Sequence, residues 1–437
     1  MPRRENPKQK AVVAHVLRRL SMGTQPDLVA ATADADAAIA RALDLSAPAA
    51  APLQFAVPAD YDSGTVAGAI AAPITWWVGQ MQSSPRLIEE RLVWFWHDHF
   101  ATGLQKVRVP YLLWQQHLLL RTHATGNFAT MLKAIARDPA MLSYLDGVTN
   151  TAAERNENFG REVMELFTLG RGNYTERDVV EASRAFTGWV VNFPGRPASA
   201  RLASFVPPWG SGFVPSRADT GSKTLLGTTA NLDMFGALDV LLDHAATAPR
   251  IAGKLYQELV GLPPSDKTAK RLGKVFRDAG WEIMPLVEAI VAERAFTSEA
   301  AVGAKARTPI EKLVGIVQAI PPATLDLGRL NRRIASNGRQ TGLSDALRTL
   351  GYVPFVPPNV AGYPKGLRLV GPHQLVHTFD LLSVYPAAPV VPRKLDDLLA
   401  RFALHSVSGR SRAVLARESD PTRRLALVVS SPEYAVT

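Results

Sequence analysis

Two short segments constrain this chain more than any other part of it. One is Phe95-Trp96-His97-Asp98-His99-Phe100; the other is Asn156-Glu157-Asn158-Phe159-Gly160-Arg161-Glu162-Val163-Met164-Glu165-Leu166-Phe167-Thr168-Leu169-Gly170. Both set ionisable side chains among tryptophan, phenylalanine and leucine. A charge buried without a partner is costly, so such groups are paired, hydrogen-bonded or put to chemical use. The fold therefore has to build a polar site into an apolar core.

Helical periodicity dominates the surroundings of both segments. Ser84-Pro85, with Glu89 and Glu90 following, predicts a capped helix that runs to about residue 103 and carries the histidines. At about 100° per residue, His99 falls on the same face as Leu92, Phe95 and Trp96, and His97 nearly opposite, beside Glu90 and Trp94. On a regular helix the two histidines then cannot share one metal; an extended backbone at 96–100 would allow it. The same placement makes His99→Ala more damaging to folding than His97→Ala.

The second segment predicts a helix over 156–169, stopped by Gly170. Glu162 and Glu165 lie three apart on a stripe with Asn158, beside the apolar face of Phe159, Val163 and Leu166. Arg161 can pair with Glu165 or Glu157 one turn away. Two carboxylates so placed suit a di-metal helical bundle, but a histidine three residues after a ligating glutamate is missing. A plain buried network uses the same residues. The candidate site is Glu162 and Glu165 as acid–base groups or ligands, His97 or His99 as proton shuttle or ligand, and Arg161 to orient a carboxylate. A divalent metal, if held, would take Glu162, Glu165 and His99.

Elsewhere, helices are expected over 11–20, 111–122, 127–136, 252–260, 267–279, 283–293 and 308–320. A further one is opened by the Thr175–Asp178 capping box. Residues 192–226 break this pattern with five prolines, and five glycines fall between Asn192 and Thr228, predicting a long loop with a small hairpin that would act as a lid. The fold class is all-α, a single multi-helix unit over 1–437 with that irregular insertion. No repeat of solenoid length is present.

The chain has no cysteine, which excludes disulfides, thiolate metal sites and a cysteine nucleophile. Its net charge is +10, and residues 301–437 carry 18 Lys/Arg against 9 Asp/Glu. Arg329, Arg332, Arg333 and Arg339, then Arg410, Arg412, Arg417, Arg423 and Arg424, make this last third a basic surface. No nucleic-acid motif accompanies them, so nucleic acid ranks last among partners. Thr220-Gly221-Ser222-Lys223-Thr224 lacks the glycines of a phosphate loop. A Gly-x-Ser-x-Gly elbow and a His-Glu-x-x-His helix are both missing. No apolar run is long enough for a transmembrane span, and no signal-peptide core follows Met1, so the expectation is a cytoplasmic protein.

Several short segments, in order along nearly the whole chain, resemble the bacterial family called domain of unknown function 1800. They are 95–100, Gly126-Asn127-Phe128, Asp138-Pro139-Ala140-Met141, Asn156-Glu157-Asn158 with Arg161-Glu162 and Glu165-Leu166, Thr187-Gly188-Trp189, Lys223-Thr224, Pro357-Pro358-Asn359-Val360 with Gly362, and Ser431-Pro432-Glu433. The resemblance implies a mostly helical unit and no established activity, substrate or cofactor. It also implies export in many relatives and a partner from a second uncharacterised, sulfatase-like family. The chain departs from the pattern at Asp98 (usually Asn), Ala218 (usually His) and Tyr363 (usually Trp). Two functions compete: a helical enzyme, hydrolase or metal-dependent oxidase, with a buried His/Glu site; or a scaffold that binds a partner through its basic final third.

Overall fold

The computed structural model describes residues 7–197, 202–322, 333–334, 340–341, 343–384 and 389–437. Arg329, Arg332 and Arg339 lie outside them. The fold is mainly helical, as expected. Capping chemistry sets many of the boundaries. Thr175 accepts from Asp178 N–H while the Asp178 carboxylate accepts from Thr175 N–H, which starts helix Glu176–Ala185. Asn127 and Asp138 cap helices Phe128–Ala136 and Pro139–Tyr144 one way only, their side chains accepting from Thr130 N–H and Met141 N–H. Thr308 with Glu311, and Pro309 in the first turn, start helix Pro309–Ala319.

The insertion at 192–226 is less irregular than expected. Strand Trp189–Val191 pairs antiparallel with Ser211–Phe213, and Lys223–Leu225 forms a tight hairpin with Thr228–Ala230. The Asp219-Thr220-Gly221-Ser222-Lys223 segment between them is closed on itself. Lys223 Nζ donates to the Asp219 and Gly221 carbonyls at 2.7 and 2.8 Å, and Arg184 Nε donates to Asp219 at 2.7 Å. Ala218 sits beneath Gly188, where there is no room for a side chain on that glycine.

The first motif helix starts later than expected, at Leu87, and ends at His99. Ser84 does not cap it. Ser84 ends the preceding helix Ala71–Ser83 in extended backbone, and its Oγ accepts from Arg86 N–H at 3.2 Å. The larger correction concerns its faces. All thirteen residues of Leu87–His99 are buried, because helices Pro7–Leu20, Ala35–Leu43, Ala71–Ser83 and Pro110–His123 surround it. His97 is 3% exposed and His99 4%, so the sequence argument for ranking their truncations has no basis in burial.

A helix buried all round must satisfy every polar group it carries. Glu90 takes two 2.7 Å hydrogen bonds from the Arg121 fork. Arg91 donates to Glu311 at 2.5 Å and Glu258 at 3.1 Å, and also to the Ser21 carbonyl. Burial pushes the Glu311 carboxyl up, but Lys305 and Arg91 outweigh it and hold the group well below the usual carboxylate range. Truncating one partner of such a pair leaves a buried charge alone. Glu90→Ala is expected to lose roughly 3–5 kcal/mol of stability in urea denaturation. Glu90→Ala combined with Arg121→Met recovers most of it; equal losses for the single and double variants would show that the pairing contributes nothing.

Candidate functional site

The two motif helices meet through an imidazole. His99, in the last turn of Leu87–His99, points its Nε2 at the Phe167 carbonyl, 3.2 Å away, and its Nδ1 at Lys254 Nζ, 2.7 Å away. A carbonyl only accepts, so Nε2 carries the proton, Nδ1 accepts, and the ring is neutral. Burial, then Lys254, hold the His99 pKa well below its ordinary value, which agrees with that tautomer.

The Phe167 carbonyl is free because the helix stops at Gly170, and a departure from regular helix frees the two carbonyls before it. The second motif begins as α-helix Asn158–Glu162 but continues as a π-helical turn, Val163–Thr168. Leu169 N–H and Gly170 N–H both reach back to the Met164 carbonyl, at 2.8 and 3.0 Å. The carbonyls of Glu165, Leu166 and Phe167 are then left at the end of the helix, where positive groups are favoured. Arg250 takes the first at 2.8 Å, Lys254 approaches the second at 3.5 Å and His99 takes the third. Arg250 and Lys254 share a face of helix Thr247–Val260, four residues apart. Gly170 has φ +82°, which favours glycine, and a Cβ there would lie 2.5 Å from the Arg250 guanidinium and displace it.

Beside Lys254 is a cavity of about 200 Å³. Its walls include Trp94, Phe95, Asp98, Tyr352 and Lys365. Asp98 organises one wall: its Oδ1 accepts from Tyr363 N–H at 2.8 Å and its Oδ2 pairs with Lys365 at 2.5 Å. Gly362 (φ +94°) permits this approach, since a Cβ there would lie only 2.2 Å from Asp98 Oδ1. At the far side Lys305 pairs with Glu258 at 2.5 Å. His97 faces away from Lys254. Its Nε2 accepts from Phe355 N–H at 3.2 Å, and burial takes its pKa down to about 3. That bond helps hold Phe355 at φ +65°, a conformation unusual for so bulky a residue.

Lys254 is the lysine of this group whose cationic form is disfavoured. Burial, then the nearby Lys365 and Arg250, bring its pKa down to about 7, against some support from Asp98. Burial also draws Lys365 down, but Asp98 outweighs it and holds that ammonium above its ordinary value. Burial thus favours the neutral amine at Lys254, whereas Asp98 favours the ammonium at Lys365.

The expected carboxylates lie elsewhere. Glu165 accepts from Arg171 at 2.5 Å and from Tyr174 at 2.9 Å. Arg161 pairs with Glu176 at 2.7 Å and Glu157 at 3.3 Å rather than with Glu165. Glu162 is half-buried, and burial, then Glu165, raise its pKa. Among the described residues no three His, Asp or Glu side chains are grouped to hold a metal, so Glu162, Glu165 and His99 do not form a shared ligand set. The cavity wall comes from 94–98, 254–261, 304–308 and 352–369, and the 192–226 insertion supplies none of the residues named along it. Lys254, Lys365 and Tyr352 escaped the sequence reading. The available signal was a lysine between Ile251 and Leu255 on a buried helical stripe.

The position of Lys254 has a thermodynamic consequence. Its folded-state pKa of about 7 lies below the ordinary 10.5, so between those pH values the unfolded chain holds a proton that the folded chain does not. The penalty of burying the ammonium is therefore full below about pH 7 and fades as the pH climbs to 10.5. Wild-type stability in urea should rise relative to Lys254→Met between pH 7 and 9.5; parallel curves would place Lys254 in water.

No curated protein and no solved structure matches the chain. A family model described as "Protein of unknown function (DUF1800)" matches residues 15–436, nearly the whole chain. The chain, whose His-Asp-His segment meets the end of the second motif at the His99–Phe167 contact, therefore belongs to the DUF1800 family.

Proposed function

We propose that this protein is an enzyme whose reaction centre is the Lys254 amine in the cavity beside the first motif helix. One observation carries the reading: Lys254 Nζ is held 2.7 Å from the accepting nitrogen of a neutral, buried histidine while also lining a cavity. His99 takes one amine hydrogen and the Leu166 carbonyl approaches a second, which leaves the lone pair of the neutral amine for a molecule in the cavity. A desolvated lysine next to another cation is an established way to make an amine nucleophilic or basic near pH 7.

The remaining roles follow from position. His99 is a positioning residue, since its other nitrogen is fixed on the Phe167 carbonyl. Lys365 is a proton donor held by Asp98. Trp94, Phe95 and Tyr352 offer apolar faces to a substrate. Thr308, also on the wall, is committed to capping its helix, so the amine is the better nucleophile. Glu162, Glu165 and Arg161 serve the surface end of the second motif and take no part in this centre.

The test is reaction with a small activated ester. With p-nitrophenyl acetate near neutral pH, Lys254 should be acylated faster than any other lysine, with a rate that rises through a midpoint near pH 7. Peptide mapping should place the acetyl group on Lys254. Labelling spread over exposed lysines in proportion to their exposure would contradict the proposal.

A further inference from the structure

The chemistry of the cavity narrows the substrate class. This inference rests on the reading above and makes it more specific. At about 200 Å³ the cavity is smaller than the roughly 300–1,000 Å³ of pockets for drug-sized ligands, so its occupant is small. Its aromatic walls, Trp94, Phe95 and Tyr352, favour a flat or apolar body. Its charged groups are already paired within the protein, Asp98 with Lys365 and Glu258 with Lys305, so no unpaired cation is reserved for an anionic substrate. What remains open to the cavity is the lone pair of the amine, whose hydrogens go to His99 and the Leu166 carbonyl.

We propose that Lys254 forms an imine with a small aldehyde or ketone bound against Trp94, Phe95 and Tyr352, with the Asp98–Lys365 pair handling the protons. The nitrogen lone pair attacks the carbonyl carbon, a C–N bond forms, and one amine proton passes to the carbonyl oxygen to give a carbinolamine. That oxygen then takes a proton from Lys365 and leaves as water. The C–O bond breaks as the nitrogen lone pair forms the C=N bond. The resulting iminium carries a positive charge, which Asp98 stabilises by Coulomb attraction, as it already does for the Lys254 ammonium. Water returns the iminium to amine and carbonyl, so no oxidant or reductant is needed. A hydrogen on the carbon next to the iminium becomes acidic, and this is what an enzyme gains from the adduct.

Reductive trapping tests the inference on the full chain. Wild-type protein is incubated with benzaldehyde and sodium cyanoborohydride at neutral pH, digested and mapped by mass spectrometry. The benzyl adduct is expected on Lys254 in excess over any other lysine, on the order of tenfold or more, because Lys254 alone is both held by the His99 ring and set in the wall of the cavity. Acetaldehyde should label the same residue more slowly, since it leaves the aromatic walls unfilled. Lys365→Met should slow the trapping with Lys254 still present, whereas Lys274→Arg, on the exposed surface, should not. Because the adduct is located in the wild-type chain, the test does not depend on any variant folding. An unmodified Lys254 that still reacts with p-nitrophenyl acetate would overturn the carbonyl class alone. A Lys254 inert to both reagents would overturn the reactive-amine reading as well.

Discussion

The rest of the site depends on the His99 imidazole lying between the Phe167 carbonyl and the Lys254 amine. A helix end buried without partners would leave carbonyls unsatisfied, and a lysine buried without partners would be expelled or neutralised. One neutral ring addresses both problems. It donates to the carbonyl and accepts from the amine, so the last turn of the first motif joins the widened end of the second. A charged imidazole could not do this, having two donors and no acceptor.

This junction is possible because the first motif helix is enclosed on every side. Its polar residues divide into two groups. Glu90 and Arg91 are locked into ion pairs with Arg121, Glu311 and Glu258, and these serve the core. Asp98 and His99 sit at the other end of the helix, facing groups that a small molecule can also reach. Asp98 draws the 359–366 loop down through Tyr363 N–H and Lys365, and that loop becomes a wall of the cavity. The Asp98 charge favours the protonated form of Lys365 beside an amine that burial draws toward its neutral form.

Much of the local structure was legible in the sequence. The Thr175 box works within three residues, so it needs no tertiary knowledge. The placement of His97 and His99 on different faces was also legible, and the two rings do meet different partners. The enclosure of the whole helix was not, because periodicity assumes a solvent face and this helix has none. The π-helical turn was equally hidden, since Val163–Thr168 reads as ordinary helix until the Leu169 and Gly170 hydrogen bonds are seen. The carboxylates Glu162 and Glu165 stood out only because they were close in sequence. The residues that join His99 and Asp98 lie 155 and 265 positions away, at Lys254 and Tyr363, where no spacing rule reaches.

The protonation state of His99 is the most direct check on this account. Long-range proton–nitrogen correlation spectra of histidine-labelled protein would report both ring nitrogens. The account predicts that His99 shows a protonated Nε2 and an unprotonated Nδ1, unchanged from about pH 5 to pH 9, on either side of the ordinary histidine pKa of about 6.5. A His99 ring that titrates with an ordinary histidine pKa, or that carries its proton on Nδ1, would contradict it, because the amine would then have no acceptor to hold it at the cavity wall.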